Sequence, residues 1–167
     1  YLSGRIMSAD DLKLIAALPE LRTLSLTSCQ ISSIAGLANA KKLTYLNLND
    51  NPIRDVSVIA AIPELQELYL HQNALVNLDP LKGLTRLHTL DVSGNSLSSV
   101  AALGELYALR QLNVSNNDLM DLSGIEKLTG LTHLMASHNN LTDLQPIAAL
   151  TNLMKLDVSN NTLLNID

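Results

Sequence analysis

The chain lacks most of the features that mark enzymes, nucleic-acid-binding proteins and membrane spans. Its single cysteine excludes an internal disulfide and leaves the redox compartment open. Its formal charge of −5 disfavours a nucleic-acid partner, because such proteins carry a basic stripe. No apolar run approaches the length of a transmembrane helix. A signal peptide is also not visible, and because the sequence opens with Tyr1 rather than Met, we expect a longer parent chain.

Motifs of catalysis and metal binding are missing as well. The sequence has no glycine-rich phosphate loop, no G-x-S-x-G turn and no H-E-x-x-H helix. It also has no closely spaced cysteine and histidine cluster of the kind that binds zinc. We therefore predict a protein that is not an enzyme and that needs no cofactor or metal.

One feature dominates what is present, a leucine that returns at a constant interval of 22 residues without any insertion. A fixed period of this length is typical of stacked repeats and not of a globule. We number each unit from this leucine as position one. The column consists of Leu21, Leu43, Leu65, Leu87, Leu109, Leu131 and Leu153.

Each unit changes its hydrophobic period part-way along. Residues 65–75 read L-x-x-L-x-L-x-x-N-x-L, and this alternation predicts a strand. Leu78, Leu81 and Leu84 then follow at a spacing of three, which suits a short helix or 3₁₀ turn. One unit cannot bury its own leucines, so neighbouring units must share a continuous core.

Two polar columns indicate how the chain turns. Position nine is asparagine in every unit except the first, where it is Cys29, and an amide there can satisfy buried backbone groups. We interpret Cys29 as structural and not as a reactive thiol. Position thirteen holds residue types that cap helices, which predicts a helical turn on the outer side. Its members are Asp11, Ser33, Asp55, Asn77, Ser99, Asp121, Asp143 and Asn165.

The repeats define the domain organisation. Residues 1–20 map onto a unit one period earlier, with Leu2 in the place of Leu24, but Gly4 and Met7 replace the core leucine and the asparagine. We predict a degenerate first repeat or an N-terminal cap-like segment that contains a short helix over residues 8–18. Residues 21–167 form the solenoid, and the last unit is truncated.

The period and the segment 139–147, N-N-L-T-D-L-Q-P-I, resemble the internalin-type subclass of leucine-rich-repeat proteins. The resemblance implies an α/β, right-handed solenoid with a parallel β-sheet on the concave face and short 3₁₀ or α segments on the convex face. It also implies a bacterial protein that is secreted or at the cell surface. A similar repeat occurs in cytosolic phosphatase-regulating subunits of eukaryotes, so a cytoplasmic location stays open.

Function is expected on the concave face, where positions three, five and seven point outward from the strands. Tyrosine combines a large contact area with a polar tip and is common at binding hot spots. The aromatic, histidine and acidic members of these columns are our candidate partner-binding residues, and Tyr1 shares the column of Tyr45. The candidates are Tyr45, Glu67, Tyr69, His71, Asp91, Asn113, His133, Met135 and Asp157.

Two functions fit these residues. The first is recognition of a protein or peptide partner on the concave face. The second is a structural spacer or scaffold in a multidomain or cytosolic assembly, with a solvated face that has no hot spot. His71 and Asp91 lie on a diagonal that a metal could bridge, but no further ligands accompany them. Asp91 and Asp157 are about 14 Å apart by strand spacing, too far to act as paired carboxylates.

Overall fold

A computed structural model describes residues 2–164. They contain a single parallel sheet whose strands lie side by side in chain order. Neighbouring strands pair one period apart, so that Leu68 lies opposite Leu90 and Tyr69 opposite Asp91. The repeat length of the sequence is therefore the register of the sheet, and the predicted solenoid is confirmed. The strands are β1 (Thr23–Ser25), β2 (Tyr45–Asn47), β3 (Glu67–Tyr69), β4 (Thr89–Asp91), β5 (Gln111–Asn113), β6 (His133–Met135) and β7 (Lys155–Asp157).

Short helical segments form the opposite, convex side. A single α-helix, α1 (Ala9–Ala16), precedes β1, and 3₁₀ helices separate the later strands in the part of the chain that is described. Pro80 and Pro146 lie in the first turn of their helices, where the missing N–H costs nothing. The 3₁₀ helices are Ala35–Asn39, Ser57–Ala61, Asp79–Leu81, Ala101–Leu103, Ile125–Lys127 and Gln145–Ile147.

The position-thirteen column caps these turns, but one residue earlier than an N-cap. Asp55 Oδ1 accepts a hydrogen bond from the N–H of Ser57 at 2.8 Å, whereas Val56 occupies the N-cap position itself. In α1 the N-cap is Ser8, and Asp11 is the third helical residue of a reciprocal capping box. The expectation of a helical turn is confirmed, while the exact capping position was wrong by one residue in five of the 3₁₀ helices and by three residues before Ile125–Lys127, whose N-cap is Gly124. Asn165 lies outside the described residues.

The core is the predicted column of leucines and their apolar neighbours. Leu68, Leu90 and Leu112, all at position four, are buried, and so are Leu48 and Leu70 at position six. Each buried side chain of this kind stabilises the fold by roughly 1.5–3 kcal/mol. On β7 the same column ends with Leu156, which is 43% exposed. The protection of the core therefore falls off at that strand.

The asparagine ladder satisfies the backbone as predicted. Asn51 Oδ1 accepts the N–H groups of Cys29 and Ile31, both at 3.0 Å. Its Nδ2 donates to the carbonyls of Leu26 and Leu48, both at 2.9 Å. The pattern recurs at the other asparagines of the column. Cys29 is fully buried, and its thiol donates to the carbonyl of Leu2, which agrees with a structural role.

The N-terminal segment runs beside β1 in a register that the sequence did not predict. Leu2 N–H donates to Ser25 O, whereas in the later units it is Leu26, at position six, that donates to Asn47 O. Leu2 therefore occupies position six and not the place of Leu24, and the expected register was wrong by two residues. The extra length accommodates α1, because an α-helix rises only ~1.5 Å per residue against ~2.0 Å in a 3₁₀ helix.

A left-handed residue follows every strand. At position eight the φ angle lies between 53° and 67° in each unit, and only one of these residues is glycine. Gly4, with φ of 75°, takes the same place in the N-terminal segment. The left-handed turn redirects the chain towards the buried asparagine at position nine. The column comprises Ser28, Asp50, Gln72, Gly94, Asn116, His138 and Asn160.

Gly36 sets the distance between α1 and the 3₁₀ helix Ala35–Asn39. A Cβ at this position would lie 2.7 Å from Leu12 Cβ and 2.8 Å from the backbone oxygen of Ala9. We expect Gly36→Ala to lower the free energy of unfolding by about 1–3 kcal/mol, because α1 must shift outward. Chemical denaturation followed by circular dichroism measures the change.

Gly83→Ala is the matched control, since a Cβ there meets no atom within 4 Å. This variant should be neutral or gain about 0.4–1 kcal/mol, because alanine restricts the unfolded chain more than glycine does. Equal stability of the two variants would contradict the close approach of α1.

Candidate functional site

The concave face presents position three throughout, position five except at Ser25, which is buried against expectation, and only part of position seven. Tyr45, Glu67 and Tyr69 are partly exposed on this face, as predicted. Ser93 is only 3% exposed, and Ser115 and Ser137 are also buried. The expectation that position seven points outward is therefore wrong at these serines. Their short hydroxyls hydrogen-bond to polar neighbours within the array, as Ser137 Oγ does to Ser115 Oγ at 3.2 Å.

Two tyrosines on adjacent strands form the centre of the predicted aromatic group. The ring centroids of Tyr45 and Tyr69 are 5.4 Å apart with an interplanar angle of 43°, within the range of favourable aromatic pairs. Tyr69 OH donates to Glu67 Oε2 at 2.8 Å. Burial, followed by this hydrogen bond, raises the pKa of the Tyr69 phenol well above its usual range. Tyr1 lies outside the described residues.

A hydrogen-bonded chain joins His71 to Asp91 through Ser93. Ser93 Oγ lies 2.6 Å from Asp91 Oδ1 and 2.8 Å from His71 Nδ1. A carboxylate can only accept, so the serine hydroxyl donates to Asp91 and His71 Nδ1–H donates to the serine oxygen. Asn113 Nδ2 donates to Asp91 Oδ2 at 3.3 Å and completes the network.

This network does not have the order of a nucleophilic triad. In a Ser-His-Asp triad the histidine lies between the serine and the acid. Here Ser93 lies between His71 and Asp91, and its side chain is shielded by the array. The arrangement can orient His71 and Asp91, but it provides no activated hydroxyl.

A shallow depression of about 230 Å³ lies across β3–β7. It brings together five of the predicted residues, Tyr69, Asp91, Asn113, His133 and Met135. It does not include Tyr45, Glu67, His71 or Asp157. Sequence reasoning missed three polar lining residues although they share position three with Tyr45, and it missed the leucines that line the depression. These residues are Thr89, Gln111, Lys155, Leu90 and Leu112.

The acidic and amide residues at position five also hold their own turns. Asp91, Asn113 and Asp157 each accept the backbone N–H of position seven through Oδ1, at 2.9–3.1 Å. Hydrogen bonds from the Ser159 side chain and backbone lower the pKa of Asp157. These side chains therefore have a structural task that the sequence analysis missed. One oxygen of each is already engaged before any partner arrives.

Two further histidines, His133 and His138, contact separate polar neighbours. His133 Nδ1 lies 3.0 Å from Thr132 Oγ1, and His138 Nε2 lies 3.1 Å from Asn160 Nδ2. Across residues 2–164, no three His, Cys, Asp or Glu side chains are grouped so that they could hold a metal ion. None of the helices in that span has the length and apolar character required to cross a membrane.

Comparison with known families agrees with this geometry. The family model described as Leucine Rich repeats (2 copies) matches residues 1–61 and 63–105, more than half of the chain. The chain belongs to the leucine-rich-repeat family. Leucine-rich repeats are typically protein–protein interaction modules.

Solved structures place this leucine-rich-repeat chain with the internalins. It is similar to an internalin of Listeria monocytogenes (inlF), with 34% identity and a TM-score of 0.89 over 93% of this chain and 46% of that one. Internalin C2 of the same organism has 29% identity and a TM-score of 0.91, over 98% of this chain and 71% of that one. A leucine-rich-repeat protein of Leptospira interrogans has 28% identity and a TM-score of 0.85, over 94% of this chain and 41% of that one. The predicted internalin-type subclass is thereby confirmed.

The chain spans about half the length of the first of these internalin structures. A search of proteins with curated descriptions gave no match to the sequence. The family of the chain is thus established, and the chemistry of its surface indicates what kind of partner it could bind.

Proposed function

We propose that this leucine-rich-repeat chain recognises a protein or peptide partner on its concave face. The observation that carries the proposal is the Tyr45–Tyr69 ring pair, which is held by Glu67 at one margin of the depression. Tyr69 lines that depression, so the aromatic pair and the cavity form one surface. The partner-binding residues we propose are Tyr45, Glu67, Tyr69, His71, Asp91, Asn113, His133, Met135 and Asp157.

The rigidity of the face supports this proposal. Binding loses affinity when side chains must be ordered, and pre-organised side chains reduce that cost. Tyr69 is fixed by Glu67, and His71 and Asp91 are both fixed by Ser93. The strands lie about 4.8 Å apart, so the face is roughly 30 Å long, which is enough for a peptide or a small protein surface.

We also propose that the chain acts at a bacterial cell surface or is secreted. The similar structures are internalins of Listeria monocytogenes and a repeat protein of Leptospira interrogans, and both sources are bacteria. Protease added to intact source cells should then remove the protein without releasing cytoplasmic markers. Protection from the protease until lysis would favour a cytoplasmic location.

We also propose the division into an N-terminal segment, residues 1–20, and a solenoid over residues 21–167.

The double variant Tyr69→Ala with His71→Ala tests the binding surface. We expect the affinity for a partner isolated with the wild-type chain to fall about 30-fold or more, since even one hot-spot residue contributes at least ~2 kcal/mol. The free energy of unfolding should change by no more than about 1 kcal/mol, as is usual for partly exposed positions. Surface plasmon resonance and thermal denaturation measure the two effects.

Tyr107→Ala is the matched control. Tyr107 is also an exposed tyrosine, but it lies between the 3₁₀ helix Ala101–Leu103 and β5, away from the concave face. Its removal should leave the affinity unchanged. If the double variant binds as tightly as the wild type, this patch is not the binding surface.

A structural spacer is the second candidate function. The observation in its favour is that Asp91, Asn113 and Asp157 use hydrogen-bonding capacity within the array. If the chain is a spacer, simultaneous replacement of Tyr45, Tyr69 and Met135 by alanine should leave the multidomain or cytosolic assembly that contains it intact. A recognition module would not tolerate this change.

A further inference from the structure

The concave face has an imbalance of charge around its aromatic pair. On β1–β6, positions three, five and seven contain two acidic residues, Glu67 and Asp91, and neither lysine nor arginine. Lys155, on β7, is the cation of these columns. Elsewhere in residues 2–164 five carboxylates pair with a lysine or arginine within 3.0 Å, but Glu67 and Asp91 are in none of these pairs.

The two acids lie on either side of Tyr69. Glu67 is two residues earlier on the same face of β3, and Asp91 is the registered neighbour of Tyr69 on β4. Tyr45 packs against Tyr69 from β2. Two carboxylates therefore flank a pair of aromatic rings, at a margin of the depression that Tyr69 and Asp91 both line.

Both acids retain capacity to accept hydrogen bonds. Glu67 Oε2 accepts from Tyr69, while Glu67 Oε1 accepts from no side chain in the described part of the chain. Asp91 Oδ1 is filled by Ser93, but Oδ2 takes only the long bond from Asn113, at 3.3 Å. A carboxylate has about four lone-pair sites, so each group can accept further donors. The raised pKa of Tyr69 keeps its ring neutral and able to face a cation.

We infer that this patch binds an arginine side chain of the partner, with the guanidinium beside Asp91 and Glu67 and over the Tyr69 ring. The inference rests on the proposed function, since it specifies what the concave face recognises. Arginine fits better than lysine because its planar group stacks on an aromatic ring and presents five donors in a fixed fork. The aliphatic stem lies in the part of the depression that Tyr69 and Asp91 line.

The test uses two pentapeptide probes, Ac-Gly-Gly-Arg-Gly-Gly-amide and its citrulline counterpart, which has the same shape but no charge. We expect titration of the ¹⁵N-labelled chain with the arginine peptide to shift the amide resonances of residues 67–71 and 89–93. The citrulline peptide should bind at least about threefold more weakly. Raising the salt concentration to about 0.5 M should narrow the difference in affinity between the two peptides, because the Debye length shortens to a few ångströms.

Variants separate this inference from general electrostatic attraction. Glu67→Gln and Asp91→Asn should each weaken binding of the arginine peptide about two- to fivefold, the range of partly exposed ion pairs. Glu126→Gln, at an exposed position in the 3₁₀ helix Ile125–Lys127 on the convex side, is the control and should have no effect. In each variant the spectrum of the free protein verifies that the array is intact.

The possible outcomes also distinguish the inference from the proposed function. Equal binding of the two peptides, or shifts that map to the convex side, would overturn arginine recognition. The proposed function stands if Tyr69→Ala with His71→Ala still weakens binding of the isolated partner to the extent expected above. If arginine binds as expected but the double variant retains the partner, the patch binds cations and the wider recognition role is wrong.

Discussion

Replacing Leu90 with alanine should lower the free energy of unfolding by about 2–5 kcal/mol. Leu90 lies in the middle of β4, is 1% exposed, and packs between the corresponding leucines of β3 and β5. Truncation removes its apolar contacts and leaves a cavity that the stacked neighbours cannot fill without disturbing the register. Urea denaturation at 25 °C measures the loss, and an unchanged m-value would confirm that the array still unfolds as one unit.

The same substitution at Leu156 is the control. Leu156 occupies position four on β7, but it is 43% exposed. Folding buries less of the apolar area of Leu156 than of Leu90. Leu156→Ala should therefore cost roughly half as much stability as Leu90→Ala, or less. Equal costs at the two positions would contradict a core whose protection declines towards β7.

Asn51→Ala should destabilise the chain by about 1–3 kcal/mol, although it removes only a few atoms. Asn51 is 4% exposed, and its amide accepts from two backbone N–H groups and donates to the carbonyls of Leu26 and Leu48. Alanine leaves these groups in a site where water has poor access. Differential scanning calorimetry should show a lower Tm together with a lower unfolding enthalpy.

Asn140→Ala provides the comparison for this ladder. Asn140 stands directly after a ladder asparagine, but it is exposed. Its replacement should change stability by less than about 0.5 kcal/mol. A neutral result for Asn51→Ala would mean that the ladder is dispensable and that the strand ends are satisfied in another way.

The sequence predicts the array well because one physical constraint recurs in every unit. A leucine at a constant interval can be buried only if the units stack in register, and the pairing of Leu68 with Leu90 follows directly from that spacing. The asparagine ladder was predictable for the same reason. A buried turn leaves backbone N–H and C=O groups without partners, and an amide side chain can hydrogen-bond to both.

Departures from the repeat were harder to foresee. The two-residue shift at Leu2 depends on α1 replacing a 3₁₀ helix, and α1 in turn needs Gly36 for its close approach. Neither the register shift at Leu2 nor the close approach at Gly36 is marked by a periodic pattern in the sequence. The left-handed column escaped notice because glycine, its usual mark, occurs there once in the solenoid, at Gly94.

The candidate site was predicted as a face rather than as a set of contacts. Period-two alternation placed Tyr45 and Tyr69 on adjacent strands, and the structure brings their rings together. It could not indicate that Ser93 is buried between His71 and Asp91, because alternation says which side a residue faces and not which neighbour shields it. The lining residues Thr89 and Gln111 were missed since neither has a distinctive chemistry.

The left-handed strand ends leave the molecule short of its greatest attainable stability. L-residues with a side chain pay about 1–2 kcal/mol in this conformation, and asparagine and aspartate tolerate it better than glutamine or histidine do. Gln72 and His138 adopt it with φ of 53° and 54°. Engineers who need a more heat-resistant scaffold could start at these corners, where the side chains of Gln72 and His138 are exposed.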